Sequence, residues 1–329
     1  MKFLRIILSG FLIFSAVFSI FFGKGILQTG EDKNPKEYKA VLTVWQIDIF
    51  EGGKGSRRQF IESVSKRFEK QNLGVFVLVS SLSPSGAKER MEKGEFPDII
   101  SFGFGVDIPS AKEIDLSVSG FGKVGGTTYA VPWCRGGYAL IENPESKSQK
   151  TVISQQEFTQ PLISASINGV DLSKGYEIKT PMDAYIDFVS GGARYLVGTQ
   201  RDIARLETRG MSVMVKPLGE FSDLYQYLAI TDSSDYLLGQ SFIEFMTSEF
   251  VQNRLNEIYM FSDLYPVKYD GVSMSEMQSK KITVSISPFM DGLNAKEIQS
   301  LSLKAIGGDK NAENKIKNML SYLENNGKI

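Results

Sequence analysis

Three short stretches of the chain carry side chains able to hold a small polar molecule. Gln46, Asp48 and Glu51 follow Trp45; Arg135 and Tyr138 follow Trp133; and Thr199, Gln200 and Arg201 stand side by side. An aromatic ring offers a flat apolar face for C–H stacking, and amide, carboxylate and guanidinium groups pair with hydroxyls. The first two stretches therefore suit a hydroxyl-bearing ligand. The third reads as the opening of a helix, where free backbone N–H groups favour an anionic or hydroxyl oxygen.

Catalysis has less material to work with. The chain of 329 residues contains no histidine, the commonest general base, metal ligand and partner of a nucleophilic serine or cysteine. Its one cysteine, Cys134, allows no intramolecular disulfide and no thiolate metal cage, and reads as an inert buried thiol. Asp48 and Glu51 could serve a glycosidase only if held roughly 5–10 Å apart across a cleft, one with a raised pKa. Nothing in the sequence marks such a pair, so binding without turnover is expected and a carboxylate enzyme stays as a rival. Two glycine patterns lead nowhere. Gly120-x-Gly122-x-x-Gly125 spells a dinucleotide fingerprint but runs into an apparent strand at 129–133, so it reads as a hairpin turn. Gly52-Gly53-Lys54-Gly55-Ser56 lacks the spacing of a phosphate loop. No cofactor or metal is expected. With 37 basic against 38 acidic residues, no global field draws a nucleic acid.

The first residues place the body. Lys2 and Arg5 precede an apolar, uncharged run over residues 6–22, the layout of a secretory signal or signal anchor. At 1.5 Å per residue the run spans about 25 Å, short of a hydrocarbon core of roughly 30 Å unless residues 23–27 extend it. A small-x-small cleavage site is poorly formed, so residues 1–27 are expected to remain as a transmembrane anchor, cleavage being the alternative. The basic residues before the span predict a cytoplasmic N-terminus and an extracytoplasmic body. Residues 28–37 (QTGEDKNPKE) read as a tether.

Beyond the tether the pattern alternates. Residues 40–45 (AVLTVW), 75–80 (VFVLVS) and 98–101 (DIIS) read as strands, with helices over 56–70 and near 86–93 between them. Phe60, Ile61, Val64 and Phe68 form one stripe of the first helix, and Ser56 with Gln59 forms a capping box. Strand and helix at this spacing predict a parallel sheet with right-handed crossovers. A second, smaller unit follows: Thr180-Pro181-Met182-Asp183 opens a helix, 193–197 is a strand, Thr199 caps another helix with Asp202 three residues on, and 211–216 is strand-like. From residue 233 the chain reads as mostly helical, closing with helices over 294–305 and 312–324.

Several of these pieces match one family in order: Leu42-Thr43-Val44-Trp45 before a glycine-bearing loop; Gly94-Glu95-Phe96-Pro97-Asp98-Ile99-Ile100; Gly126-Thr127-Thr128-Tyr129-Ala130-Val131-Pro132-Trp133; Phe242-Ile243-Glu244-Phe245-Met246-Thr247-Ser248-Glu249; and Leu264-Tyr265-Pro266-Val267. Together they resemble the extracellular solute-binding proteins of ABC importers, specifically the group that handles sugars and oligosaccharides. No lipidation cysteine follows the apolar run, and residues 143–179 lack the tryptophan-rich stretch that usually begins the second lobe.

The resemblance implies a two-lobed α/β fold of the type II periplasmic-binding-protein class. Lobe 1 is expected over 38–132 and 231–329, and lobe 2 over 133–230. Ligands of such folds lie in the crevice at the carboxyl ends of the strands. The implied site comprises Trp45, Gln46, Asp48, Glu51, Phe102, Trp133, Arg135, Tyr138, Thr199, Gln200 and Arg201. The implied partners are a small solute, a sugar by preference, and an ABC permease in the membrane. A membrane-anchored sensor or protein-interaction module with the same fold is the alternative.

Overall fold

The computed structural model describes residues 40–48, 55–108, 111–116, 121–231, 235–290 and 292–326. The expected anchor and tether, Glu51 and the glycines at 52 and 53 lie outside the described residues. Among the described residues no helix is long and apolar enough to cross a membrane.

The first α/β unit forms where the apolar pattern places it. Strand β1 (Ala40–Ile47) leads to helix α1 (Arg57–Gln71), whose N-cap Ser56 accepts from Gln59 N at 3.4 Å. Phe60, Ile61, Val64 and Phe68 are all buried, as a stripe facing the sheet should be. Strand β2 (Val75–Leu82), helix α2 (Pro84–Glu92) and strand β3 (Ile99–Phe102) complete the unit, with β1 and β3 parallel and Val44 opposite Ile99. Strands β4 (Lys123–Val124) and β5 (Thr127–Thr128) then make a tight hairpin. Gly125 and Gly126 turn it with φ of +57° and +88°, the mirror-image turn that only glycine enters without strain. The glycine pattern there is a hairpin, as the sequence implied.

Strand β6 (Val131–Arg135) is followed by a second group: β7 (Tyr138–Glu142), β8 (Thr151–Ser154), helix α3 (Pro161–Ile167), β9 (Tyr176–Lys179), helix α4 (Pro181–Val189), β10 (Tyr195–Thr199), helix α5 (Gln200–Thr208) and β11 (Met214–Pro217). The chain returns through β12 (Glu220–Phe221) and β13 (Tyr225–Ile230). Helices α6 (Tyr236–Met246), α7 (Glu249–Gln252) and α8 (Val272–Ser279), strand β14 (Ile282–Val284) and helices α9 (Gly292–Ile306) and α10 (Lys310–Asn326) follow. One five-stranded sheet runs β2-β1-β3-β13-β6 and the other β11-β7-β10-β8-β9. β13 lies antiparallel between β3 and β6 and ties the returning chain to the first unit.

Two findings refine the two-lobed expectation. Met274 and Met277 of α8, inside the span assigned to lobe 1, pack with Ile141, Phe188 and Leu196 under the second sheet. The larger apolar core also continues past the first sheet to Ile153, Leu162, Ile163 and Val197 of the second unit. The halves are joined by packed side chains as well as by their connecting strands.

Candidate functional site at the carboxyl ends of the sheets

The chain passes between the sheets at Gly136-Gly137, from β6 into β7, and returns at Ser222-Asp223-Leu224, from β12 into β13. Gly136 N donates to Leu224 O at 2.6 Å, so the two passages run side by side. A side chain at Gly136 has no room: a Cβ there would stand 2.8 Å from the Gln200 amide. That amide is buried and bridges the passage, its Oε1 accepting from Gly137 N at 2.9 Å and its Nε2 donating to Met260 Sδ at 3.3 Å. Arg135 is likewise committed. It pairs with Asp263, donates to the carbonyls of Gln278 (3.2 Å) and Lys280 (3.3 Å), and lies 5.2 Å over the Phe261 ring.

At the carboxyl end of the first sheet the predicted residues bond to one another. Gln46 Nε2 donates to Gln226 Oε1 at 3.1 Å, Ser101 Oγ donates to Gln46 Oε1 at 2.7 Å, and Trp133 Nε1 donates to Ser101 Oγ at 3.0 Å. The Trp133 ring stacks on Phe60 at 5.8 Å and 13°, fully buried. Phe102 packs between Tyr227 and Phe289. Trp45 sits under Arg90, 5.6 Å from its guanidinium. These aromatic faces are core, with no face left for a solute. Asp48 is half exposed, accepting from Ser81 and lying 3.8 Å from Arg57. Burial pushes the neighbouring Cys134 thiol well up, which keeps it an inert thiol.

The carboxyl end of the second sheet is different. Tyr138, Ser154, Thr199, Arg201 and Arg205 surround a cavity of about 30 Å³, room for about one water molecule. Thr199 and Arg201 are there because β10 runs straight into α5. Asp202, three residues past the cap, accepts from Thr199 N at 2.8 Å and fixes that turn. Tyr138 donates its hydroxyl to Asp223 Oδ1 at 2.8 Å, and Gln160 N donates to Asp223 Oδ2 at 2.8 Å. Burial pushes the Asp223 carboxyl up to about 6, against the opposing effect of those two hydrogen bonds. Close to the cavity the loops of the two halves touch: Gly105, after β3, has φ +92°, and a Cβ on it would stand 2.4 Å from the Phe158 ring, after β8.

Of the implied site, then, Tyr138, Thr199 and Arg201 meet at one cavity. Gln46 and Trp133 meet in a separate buried network, Arg135 and Gln200 hold the passages, and Trp45 and Phe102 belong to the core. Sequence reasoning missed Ser154, Arg205, Asp223 and Gln226. Arg205 was within reach, since i and i+4 share a helix face. A second, larger cavity of about 550 Å³ lies among α3, β12, β14, α9 and α10, walled largely by Leu162, Ile163, Ile167, Ile316 and Leu320. Among the described residues no cluster of three or more metal-ligating side chains occurs.

No family model matches the chain, and no curated protein does. Solved structures do. The sugar-binding protein MalE from Xanthomonas citri aligns with a TM-score of 0.59 at 12% identity, over 86% of this chain and 96% of that one. The GacH receptor of Streptomyces glaucescens, solved unliganded and with acarbose, gives 0.57 at 14%, over 86% and 98%. A two-component system protein that mediates signal transduction gives 0.53 at 14%, over 79% and 99%. The chain has the mixed α/β fold of the periplasmic binding proteins.

Proposed function

We propose that this chain is an extracytoplasmic solute-binding protein that catalyses nothing: its halves close by hinge motion on a small solute and present it to an ABC permease. One observation carries the reading. Polar side chains from three elements converge at the carboxyl ends of the second sheet, beside a two-stranded passage, where loops of both halves meet. A binding protein needs that arrangement, because hydrogen bonds completed only on closure couple binding to the closed form. The solute class we favour is carbohydrate, since two of the fold neighbours are described as binding a sugar or acarbose. Lys2 and Arg5 ahead of the apolar run over 6–22 support a body held at the outer face of the membrane by an N-terminal helix. A sensor role is the second reading, favoured by the small size of the cavity and by the fold shared with a signal-transduction protein.

The test is a thermal-shift screen of the full chain against sugars, amino acids and oligopeptides. A binder gains stability as the logarithm of ligand concentration above its Kd, about 2.7 kcal/mol at a hundredfold excess. A midpoint that stays flat across the whole panel would overturn the reading.

A further inference from the structure

We propose that the cavity of about 550 Å³ among α3, β12, β14, α9 and α10 is a second binding site, one for an amphipathic amine, with the apolar body inside and the ammonium head at Glu220 and Glu313. It shares no lining residue with the second-sheet cavity and does not rest on the solute-binding reading. Packed interiors leave few voids larger than a water molecule, whereas small-molecule pockets run from roughly 300 to 1,000 Å³. The inner wall is aliphatic and buried, made by Leu162, Ile163 and Ile316, and Leu320 continues it. Ile167, 42% exposed, stands on the solvent side. The cavity also touches both halves of the molecule: α3 follows β8 of the second sheet, while α9 and α10 come from the end of the chain. Gln299 Nε2 of α9 donates to Glu157 O, just ahead of α3, at 3.1 Å.

The charge on this wall selects the head group. Glu220 and Glu313 both line the cavity, and among the described residues neither carboxylate makes an ion pair or a hydrogen bond. Glu220 is there against the preference of its backbone. Its φ is +63°, and Phe221 N donates to Gly219 O at 2.7 Å, which closes a three-residue turn around it. A turn of that hand is rare and strained, and glycine would enter it most easily. The chain thus sets a carboxylate where glycine would relieve the backbone, and such outliers gather at ligand sites. Glu313 lies in the first turn of α10, where its charge also suits the helix end. Lys317, one turn further on, pairs with neither acid. Two acids against one base favour a cationic head and repel an anionic one.

A sugar has less to use on this wall. Phe121 is the one aromatic ring among the lining residues, and it is already engaged edge-on with Tyr225 at 5.5 Å. Two of the lining hydroxyls are spoken for: Ser302 donates to Ile298 O at 2.7 Å and Thr283 to Glu220 O at 3.4 Å. Affinity must therefore come mainly from apolar burial, about fourfold for each methylene removed from water. The partly exposed carboxylates add a smaller increment and decide between heads.

The experiment is calorimetry on the full chain at low salt with n-decylamine, n-decanol and n-decanoate, each below the concentration at which it self-associates. Decylamine is expected to bind saturably, and decanoate at least tenfold more weakly, with decanol between them. Glu220→Gln with Glu313→Gln should bring decylamine and decanol within about threefold of each other. Ile167→Lys changes an exposed side chain, leaves the core alone and should weaken decylamine at least tenfold. Decanoate binding as tightly as decylamine would overturn the amine. Decylamine binding that survives Ile167→Lys would place it elsewhere, the apolar run over 6–22 included, and overturn the site. Binding that weakens as the protein is concentrated would make a second copy the occupant and overturn the amine as well. Silence from all three probes would remove this site and leave the solute-binding reading to its own thermal-shift screen.

Discussion

At the carboxyl end of the first sheet Gln46, Ser101, Trp133 and Gln226 answer one another's hydrogen bonds, leaving only Gln226 Nε2 of that set without a partner. At the carboxyl end of the second sheet Tyr138, Ser154, Thr199 and Arg205 border a small cavity, and among the described residues Arg205 makes no close ion pair, lying over the Tyr185 ring instead. Both ends are rich in polar groups of the kind a binding site uses. The difference is where their valences are met. A network that closes on itself fixes a core in one arrangement, whereas a set of donors aimed at a cavity is stable enough to persist and incomplete enough to bind. The first end is a closed network, and the second is the end that the proposed function assigns to a guest.

Truncating the first end should produce the largest effect. Trp133 stacks on Phe60, donates to Ser101, and is almost wholly buried, so Trp133→Ala opens a cavity and removes a bond together. Loss of about 3–5 kcal/mol of unfolding free energy is expected from denaturant titration, with ligand affinity of the folded fraction unchanged. A variant that kept its stability and lost its ligand would reverse the comparison, making the first end the binding end.

Asp223 gives the next effect, and it comes from the passage behind the second end. Its carboxyl is raised from 3.8 to about 6 in the folded chain. Between those values the folded form keeps a proton that the unfolded chain releases. Its contribution is therefore full below pH ~4 and is lost as pH rises to about 6, where stability levels off. The difference amounts to about 3 kcal/mol at 1.36 kcal/mol per unit. Denaturation of the protein and of Asp223→Asn from pH 4 to 7 should show that slope in the first and not in the second. Parallel curves would mean that Tyr138 and Gln160 N hold the carboxylate ionised throughout.

What the sequence disclosed follows from how local each signal is. β1, α1, α4 and α5 are written in adjacent residues: an apolar run, a Ser56 cap, Thr180-Pro181 and Thr199 with Asp202. β13 was illegible, although all six of its residues are buried, because its partners β3 and β6 lie about a hundred residues away and Gln226 breaks its apolar run. β8 and β9 have four residues each, too few to display a period. Side-chain type misled in the other direction. Trp45 and Trp133 suit a sugar face as well as they suit Arg90 and Phe60, and only the packing decides between them. α8 was assigned by its place in the chain to the first lobe, but Met274 and Met277 found their apolar partners under the second sheet.

The smallest effect should have the opposite sign from the first. If the second end is held incomplete for a guest, removing one of its charges should help the empty protein. Arg205→Gln takes away a guanidinium that repels Arg201 across one turn of α5 and keeps a side chain of good helix propensity. A gain of about 0.2–0.5 kcal/mol is expected in low salt, shrinking as added salt screens the pair. The readout is the denaturation midpoint of ligand-free protein at two ionic strengths. The Tyr185 ring 5.5 Å away is the competing claim on Arg205. If that stacking is what the arginine is for, the variant loses about 0.5–1 kcal/mol instead. That loss would make the second end a structural network like the first, and the distinction between the two ends would fail.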